Sequence, residues 1–247
     1  MPVHITPLSP LAFLERSRSV FAHATAVVDG DRRITYRELA AEVTRVARAL
    51  RASGVAPGDR VAYLCPNTPT LLVAHFAVPL AGAVLVAVNT RLSPQEVLAI
   101  CAHAGARMIV ADAELAPTLA PVIADLPVDE VVWDDAALAP PEGLPGIRYA
   151  DLVARGSDEP LPWVVDDEDA TIAINYTSGT TGAPKGVMYT HRGAYLNSLG
   201  ENLTAGHGQD TVYLWTLPMV HCNGWCHPWA IVALALINIS EPTSQAA

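Results

Sequence analysis

The residues best suited to bind a ligand cluster in one short segment, from Tyr176 to Gly186, with the sequence YTSGTTGAPKG. The segment combines hydroxyl donors with several glycines, and near its end stands Lys185, the only lysine of the chain. Glycines let backbone amides approach an anion closely, and a lysine ammonium adds a compact positive charge. The segment therefore predicts a phosphate-binding loop. Its candidate ligands are Thr177, Ser178, Gly179, Thr180, Thr181, Gly182 and Lys185.

The flanking sequence predicts how this loop is held. The apolar run from Ala170 to Asn175 predicts a buried strand before it, and a helix is expected to begin just after Thr190. His191 is expected to be an ordinary residue of the first turn of that helix, and a contact with a nucleotide is the second interpretation. Two residues separate Gly182 from Lys185, so the loop differs from a Walker A sequence. An ordinary polar turn is the alternative, and the density of donors around the one lysine argues against it.

The composition is that of a folded, acidic protein. The chain has 247 residues, a formal charge of −10, 51% hydrophobic residues and 16% charged residues. This balance excludes a disordered chain, and the pI of about 5.1 argues against a nucleic-acid binder. Four cysteines in a chain of this length indicate reduced thiols, and the start lacks a secretory signal, so we expect a cytoplasmic protein. The apolar run from Trp229 to Ile239 is too short to span a membrane.

Strand and helix patterns alternate along the first half of the chain. Two capping boxes, Thr35–Glu38 and Ser93–Glu96, each predict a helix start, and Gly105 is expected to end the second helix. The apolar runs predict strands at Arg60–Cys65, Val84–Val88 and Arg107–Ala111, and a further helix at 69–81. Strands separated by single helices predict an α/β fold with mainly parallel sheets flanked by helices.

The stretch from Ala113 to Pro162 is rich in proline and has a weaker pattern. It predicts a surface connection between two α/β units, with one strand at Glu130–Trp133. The acidic run from Asp166 to Asp169 has the composition of a metal site, but we interpret it as a solvated approach to the next strand.

A second segment with reactive side chains is LPMVHCNGWCHPW, from Leu217 to Trp229. It contains no Asp or Glu that could pair with a substrate ammonium, so an amino acid is an unfavourable substrate. Zinc ligation is an alternative use of the segment. The candidate ligands would be His221, Cys222, Cys226 and His227. The two cysteines are four residues apart and no second ligand pair follows, so we assign no metal site.

The loop YTSGTTGAPKG resembles the signature phosphate loop of the AMP-forming adenylating enzymes, which include acyl-CoA synthetases, luciferases and peptide-synthetase adenylation domains. Three further segments match: TYRELA from Thr35, GVAPGDRVAYLCPN over 54–67 and VAVNTRLSPQE over 86–96. The resemblance extends to about Leu234. It implies the N-terminal portion of the large AMP-binding domain, built from layered, mainly parallel sheets flanked by helices.

This resemblance implies a reaction and assigns residues to it. A carboxylate attacks the α-phosphate of ATP in the presence of Mg²⁺, giving an acyl-adenylate and pyrophosphate, and the thiol of coenzyme A then displaces AMP. The loop would hold the β- and γ-phosphates, and His221 would lie beside the carboxylate or thioester as the catalytic residue. Asn223, Gly224 and Trp225 would form the substrate pocket. The HxNGW pattern is similar to fatty-acyl and medium-chain enzymes, which implies a fatty acid.

Members of this family are considerably longer than this chain. We therefore expect residues 1–240 to be the N-terminal part of the AMP-binding domain, residues 241–247 to be an atypical tail, and the C-terminal domain to be absent. We also expect an exposed apolar face at Ile231–Ile239 that makes copies of the chain associate. A non-catalytic nucleotide-binding remnant or interaction protein, and a small metal-binding protein, are the alternative functions.

Overall fold

The computed structural model describes residues 5–134, 140–177, 184–208 and 210–240. The helices in these ranges are α1 (Leu11–Val20), α2 (Tyr36–Ala52), α3 (Pro69–Leu80), α4 (Pro94–Ala104), α5 (Ala116–Leu119), α6 (Tyr149–Val153), α7 (His191–Ala205), α8 (Cys222–Trp225) and α9 (His227–Ala233). The strands are β1 (Thr25–Asp29), β2 (Arg32–Thr35), β3 (Arg60–Leu64), β4 (Val84–Ala87), β5 (Ala106–Asp112), β6 (Glu130–Asp134), β7 (Ile147–Arg148), β8 (Thr171–Thr177), β9 (Lys185–Thr190), β10 (Val212–Leu214) and β11 (Ile237–Ile239).

The described strands form two sheets. The larger sheet has the order β7-β6-β5-β3-β4-β8-β9, and its strands are parallel except for β9, which runs antiparallel to β8. The smaller sheet has the order β10-β11-β1-β2, and β2 is its antiparallel strand. The predicted α/β fold is confirmed. Because β3, β4 and β8 are parallel neighbours, their carboxyl ends meet at one edge, where α/β proteins commonly bind ligands.

Both faces of the larger sheet are buried. Along β3, Val61 and Tyr63 belong to one apolar cluster, whereas Ala62 and Leu64 belong to another. Successive side chains of a strand point to opposite faces, so the two clusters lie on either side of the sheet. This explains why the strand segments are almost continuously apolar.

Both predicted capping boxes are present. The Glu38 amide donates to Thr35 Oγ1 at 3.3 Å, and the Thr35 amide donates to Glu38 Oε2 at 2.8 Å. The same reciprocal pair joins Ser93 and Glu96 at the start of α4. Gly105 ends α4 with a left-handed φ of +60°, as predicted.

The segment expected to connect the glycine-rich loop to a helix is a strand, and the proline-rich stretch contains the predicted strand and a second one. Residues Lys185–Thr190 form β9, so a strand separates the glycine-rich loop from α7, and the predicted strand–loop–helix arrangement is wrong at this point. The helix itself begins at His191, as predicted. In the proline-rich stretch, the predicted strand at Glu130–Trp133 is confirmed as β6, and Trp133 is buried. Strand β7 was not predicted, and together the two strands extend the edge of the larger sheet.

The acidic run before β8 has a local structural use. The Leu8 amide donates to Glu168 Oε2 at 2.7 Å, and Arg192 Nη1 lies 2.6 Å from Glu168 Oε1. Glu168 therefore ties the N-terminal segment to the start of α7. Asp166 and Asp167 are exposed, as expected for a solvated approach to the strand.

The apolar run at Ile231–Ile239 is largely buried, which corrects the predicted association surface. Strand β11 lies between β10 and β1, and Val27 of β1 pairs with Asn238. Ile231 and Val232 are each 0% exposed. No helix in the described ranges, including α9 in this run, is long and apolar enough to cross a membrane.

The capping box of α2 gives a direct test of local stability. We expect Thr35→Ala to lower the free energy of unfolding by about 1 kcal/mol, because it leaves the Glu38 amide without its cap. Thr44→Ala is the matched control: Thr44 lies inside the same helix and its hydroxyl bonds only to the Ala40 carbonyl, so its removal leaves stability equal or slightly higher. Urea unfolding of both variants makes the comparison, and an equal loss in both would contradict the assigned cap.

Candidate functional site

The glycine-rich loop connects β8 to β9, and the ends of these strands are in register. Thr177 lies opposite Lys185, and Tyr176 lies opposite Gly186, in the antiparallel ladder. The structure thus brings together the two members of the predicted phosphate loop that it describes. The predicted ligands Ser178, Gly179, Thr180, Thr181 and Gly182 lie outside the described residues.

The close pairing of the two strands depends on Gly186. A β carbon at this position would lie 2.9 Å from Ile174 Cγ2 and 3.3 Å from Tyr176 Cζ. Contacts this short would push β9 away from β8. The glycine therefore keeps Lys185 opposite Thr177.

A cavity of about 170 Å³ opens beside the loop, at the carboxyl ends of β4 and β8. Its wall contains Thr177 and Pro184 from the ends of the loop, and His221 from the second reactive segment. The other lining residues are Ala87, Asn89, Leu92, Glu96, Ile100, Tyr176 and Val220. Sequence reasoning did not assign these residues to a site. The available signal was weak: Asn89 and Glu96 stand in one of the segments that carry the family resemblance.

The polar groups of this wall are partly committed to neighbouring residues. Glu96 Oε2 accepts hydrogen bonds from Ser93 Oγ and the Ser93 amide at 2.7 and 2.8 Å, and these bonds lower the pKa of the carboxyl. Glu96 is therefore ionised at neutral pH while it caps α4. The Tyr176 hydroxyl hydrogen-bonds to His103 Nδ1 at 2.8 Å, and burial raises the pKa of this phenol.

Two asparagine side chains hold the segment that leads to His221. Asn67 Nδ2 donates to the Leu217 carbonyl at 3.1 Å, and Asn67 Oδ1 accepts from the Met219 amide at 2.8 Å. Asn175 of β8 donates through Nδ2 to the Val220 carbonyl at 3.1 Å. The segment is thereby fixed across the carboxyl ends of β3 and β8.

Immediately after His221 the backbone makes a left-handed turn, α8 with its following residue. The φ angles of Cys222, Asn223, Gly224, Trp225 and Cys226 are 51°, 49°, 53°, 56° and 65°. Left-handed backbone costs about 1–2 kcal/mol for a residue with a β carbon, and such strain is concentrated at functional sites. Position 224 also has no room for a side chain, because a β carbon there would lie 2.9 Å from Trp215 Cζ3.

The left-handed turn separates the predicted pocket residues. Asn223 and Gly224 are buried inside the turn, and the Trp225 side chain is 57% exposed on the outside. Of the four residues predicted from this segment, the structure brings His221 to the cavity beside Thr177. The other three are outside the wall of that cavity, because the turn directs them elsewhere.

Behind the turn lies His75 of α3, which is 0% exposed. Its Nδ1 is 2.7 Å from the Leu71 carbonyl, and Trp229 Nε1 donates to the His75 carbonyl at 3.0 Å. Burial lowers the pKa of His75 to about 4, against the Leu71 hydrogen bond and the nearby Asn223 amide, which raise it. Asn223 forms no hydrogen bond within 3.5 Å to His75 Nε2. The imidazole is therefore a neutral support for the turn.

The other histidine and cysteine residues considered as nucleotide contacts or metal ligands are buried or lie against neighbouring side chains. His191 is buried, its Nδ1 lies 2.8 Å from Ser9 Oγ, and burial lowers its pKa to about 4. Cys226 is 1% exposed, and Cys222 Sγ lies 3.9 Å from His221 Nδ1. Among the residues that the structure describes, no three His, Cys, Asp or Glu side chains form a group that could hold a metal ion.

Comparison with known proteins places this site in a family context. Residues 14–244 match the family model described as AMP-binding enzyme. The chain is 40% identical, over 97% of its length, to the peroxisomal acetate/butyrate–CoA ligase of Arabidopsis thaliana, and 39% identical, over 94%, to 4-hydroxybutyrate–CoA ligase 2 of Metallosphaera sedula. It spans 44% and 43% of the lengths of these two relatives.

A solved structure with a similar fold is that of a fatty acyl CoA synthetase of Mycobacterium tuberculosis. The TM-score is 0.79 and the sequence identity is 28%, with 95% of this chain and 45% of that chain covered. The similarity therefore extends over the sheets and the candidate site together.

The two buried histidines predict a pH dependence of stability. The pKa values of His75 and His191 fall from the ordinary 6.5 to about 4 in the folded protein. Between these pH values the unfolded chain binds protons that the folded chain does not. The free energy of unfolding should therefore be highest, with respect to these two histidines, above about pH 6.5, and it should decline as the pH falls towards 4. Each histidine contributes up to about 1.4 kcal/mol per pH unit.

Urea unfolding at a series of pH values from 7.5 to 4.5 checks this expectation. Each histidine should take up about one proton when the chain unfolds in this range. His191→Gln and His75→Gln should each flatten the decline, and the double variant should remove both contributions. A decline as steep in the double variant as in the parent would show that other groups are responsible.

Proposed function

The chain belongs to the AMP-binding enzyme family, and from this we propose that it is the N-terminal part of an ATP-dependent acyl-CoA ligase. In this proposal, residues 1–240 are the N-terminal part of the AMP-binding domain. The reaction joins a carboxylic acid to the thiol of coenzyme A while ATP is cleaved to AMP and pyrophosphate. The chain spans less than half of the relatives' length, so the activity proposed is that of the whole ligase.

One observation carries this proposal: the ends of the glycine-rich loop and His221 line the same cavity. Adenylation requires the triphosphate and the attacking carboxylate to lie side by side. A phosphate site at Thr177 and Lys185, with the acid beside His221, meets this requirement. The opening lies at the carboxyl ends of parallel strands, which is where α/β proteins commonly bind nucleotides.

The proposed chemistry is mainly charge stabilisation. The acid's carboxylate oxygen attacks the α-phosphorus, the bond to the β-phosphate oxygen breaks, and pyrophosphate leaves. The exposed Lys185 ammonium and the Thr177 hydroxyl would hold the departing phosphates, which carry the growing charge. Mg²⁺ would enter with these phosphates, since it is commonly bound through them with only one or two carboxylates. The thiolate of coenzyme A then attacks the acyl carbon and AMP leaves.

We propose a short aliphatic acid as the substrate, which narrows the fatty acid implied by the resemblance of the HxNGW pattern to fatty-acyl and medium-chain enzymes. The relatives at 40% and 39% identity are named for acetate, butyrate and 4-hydroxybutyrate, whereas the fatty acyl CoA synthetase is 28% identical. We place His221 beside the acid as a hydrogen-bond donor to its oxygen. Trp225, Asn223 and Gly224 remain proposed substrate-pocket residues.

The cytosol is the proposed compartment, and the free state of all four cysteines supports it. The Arabidopsis relative is named as peroxisomal, so cell fractionation distinguishes the two locations. The alternative function is a nucleotide-binding remnant without turnover. Such a remnant would bind ATP but would discriminate poorly between an acyl-adenylate and AMP.

Lys185 tests the phosphate part of the proposal. Lys185→Ala should weaken ATP–Mg²⁺ binding about 10- to 150-fold, because it removes one charge-assisted contact. Lys185→Arg should restore part of the affinity, since a planar guanidinium replaces a compact ammonium imperfectly. Isothermal titration of the chain with ATP and Mg²⁺ measures both. Parent-like affinity in Lys185→Ala would remove the loop from the proposed site.

His221 tests the acid part of the proposal. His221→Ala should weaken binding of 5′-O-(N-butyrylsulfamoyl)adenosine, an acyl-adenylate mimic, about 5- to 30-fold, and should leave ATP affinity within about twofold. Cys222→Ser is the matched control, because it changes the adjacent side chain and should keep parent affinity for both ligands. Equal losses for mimic and ATP would point to a general structural role for His221. A chain that binds the decanoyl mimic more tightly than the butyryl mimic would favour fatty acids.

A further inference from the structure

The charges of this acidic chain are unevenly distributed. Residues 1–53 contain eight of the 15 basic residues and five of the 25 acidic residues, a formal charge of +3. Residues 54–247 contain the remaining seven basic and 20 acidic residues, which gives a formal charge of −13. Positive charge is thus concentrated on the part of the molecule that contains α1, β2 and α2, and no residue of this part lines the cavity of the proposed acyl-CoA ligase site.

This basic part contains a groove with a volume of about 460 Å³, which we call the arginine groove. It lies between α1, α2 and the segment 158–163. Three arginines line it over a floor of small and apolar residues. The groove is defined by Arg18, Arg37, Arg45, Ala40, Ala41 and Trp163. Its volume is within the usual range of small-molecule sites.

Two of the three guanidinium groups of the arginine groove, those of Arg18 and Arg45, are held in place, and most of the donors of all three stay free. Arg18 lies over the Trp163 ring at 5.2 Å from its centroid. Arg45 Nε and Nη2 both donate to Asp158 Oδ1, at 3.0 and 2.7 Å. The Arg37 guanidinium has no hydrogen bond or ion pair with the residues that the structure describes. The wall of the groove contains these three arginines and one carboxylate, Asp158, so its formal charge is +2. Glu15, which lies outside the wall, pairs with Arg18 at 3.9 Å.

We propose that the arginine groove is a second site for a small soluble diphosphate, distinct from the Lys185 loop that would hold pyrophosphate in the proposed ligase reaction. The formal charge of +2 in the groove wall attracts the two or three negative charges of a diphosphate, and guanidinium forks bind phosphate oxygens in pairs. The recessed alanine floor leaves room for the phosphates between the arginines. Trp163, at 4% exposure, packs beneath Arg18 and keeps its guanidinium in position.

A neighbouring concavity shows why the charge balance selects the arginine groove. It also contains Arg45, together with Arg32 and Arg33, but its wall includes the carboxylates of Glu38 and Glu42. Those carboxylates oppose an anion, so the proposal is limited to the arginine groove.

Titration with inorganic pyrophosphate in the absence of Mg²⁺, at low ionic strength, tests the proposal. Arg37→Gln and Arg45→Gln should each weaken binding about 5- to 20-fold. Asp158→Asn should strengthen it about 3- to 10-fold, because it removes the opposing charge and frees the donors of Arg45. The matched control is Arg107→Gln, an arginine with the same 42% side-chain exposure as Arg45 in a different ion-pair network, and it should leave binding unchanged.

The same titrations in a Lys185→Ala background separate this site from the proposed ligase site. If pyrophosphate binding is lost in Lys185→Ala and unchanged in Arg37→Gln, the arginine groove is not the pyrophosphate site, and the ligase proposal is unaffected. Equal effects of Arg107→Gln and Arg37→Gln would mean general charge attraction and would also overturn it. Sedimentation with phosphatidylglycerol vesicles is the second arm. Vesicle binding that depends on Arg37, without pyrophosphate binding, would assign the groove to a lipid headgroup instead.

Discussion

The chain that leads to His221 crosses the carboxyl ends of parallel strands, and its position depends on amide hydrogen bonds from Asn67 and Asn175. Each bond joins residues more than 40 positions apart in sequence. Asn175 is 4% exposed, so removing its amide would leave the Val220 carbonyl without a partner in a dry place. The placement of His221 beside Thr177 follows from these bonds.

The left-handed turn after His221 is the second consequence of this constraint. A turn of this hand is costly for residues with a β carbon, so the surrounding structure must hold it. Burial of Cys226 and Trp229 in the apolar core supplies much of that support. The Trp229 indole also donates to the His75 carbonyl, which links the turn to α3. The result is an exposed Trp225 and an exposed His221 on one short segment that hydrogen bonds and burial hold in place.

Local patterns predicted α2, α3, α4 and α7 and the parallel strands β3 to β6 and β8. They did not predict α1 or the smaller sheet, and they failed where contacts are distant in sequence. The capping boxes and the Gly105 end depend on residues within one turn, so the sequence shows them directly. The burial of Ile231–Ile239 depends on pairing with β1, some 200 residues earlier, and no local pattern reveals it. Strand β9 was missed because glycines precede it. The left-handed turn has two local signals, Asn223 and Gly224, because both residue types adopt left-handed backbone readily. Its other residues, Cys222, Trp225 and Cys226, favour ordinary backbone.

We propose that the glycine-rich loop and the His221 segment form a single ligand site. A crystal structure of the chain with 5′-O-(N-butyrylsulfamoyl)adenosine would show whether they do. We expect difference density in the cavity lined by Thr177, Pro184 and His221, with the sulfamoyl group towards Lys185 and the butyryl group beside His221. Density for the ligand at another surface, with this cavity unchanged at saturating concentration, would rule out a shared site.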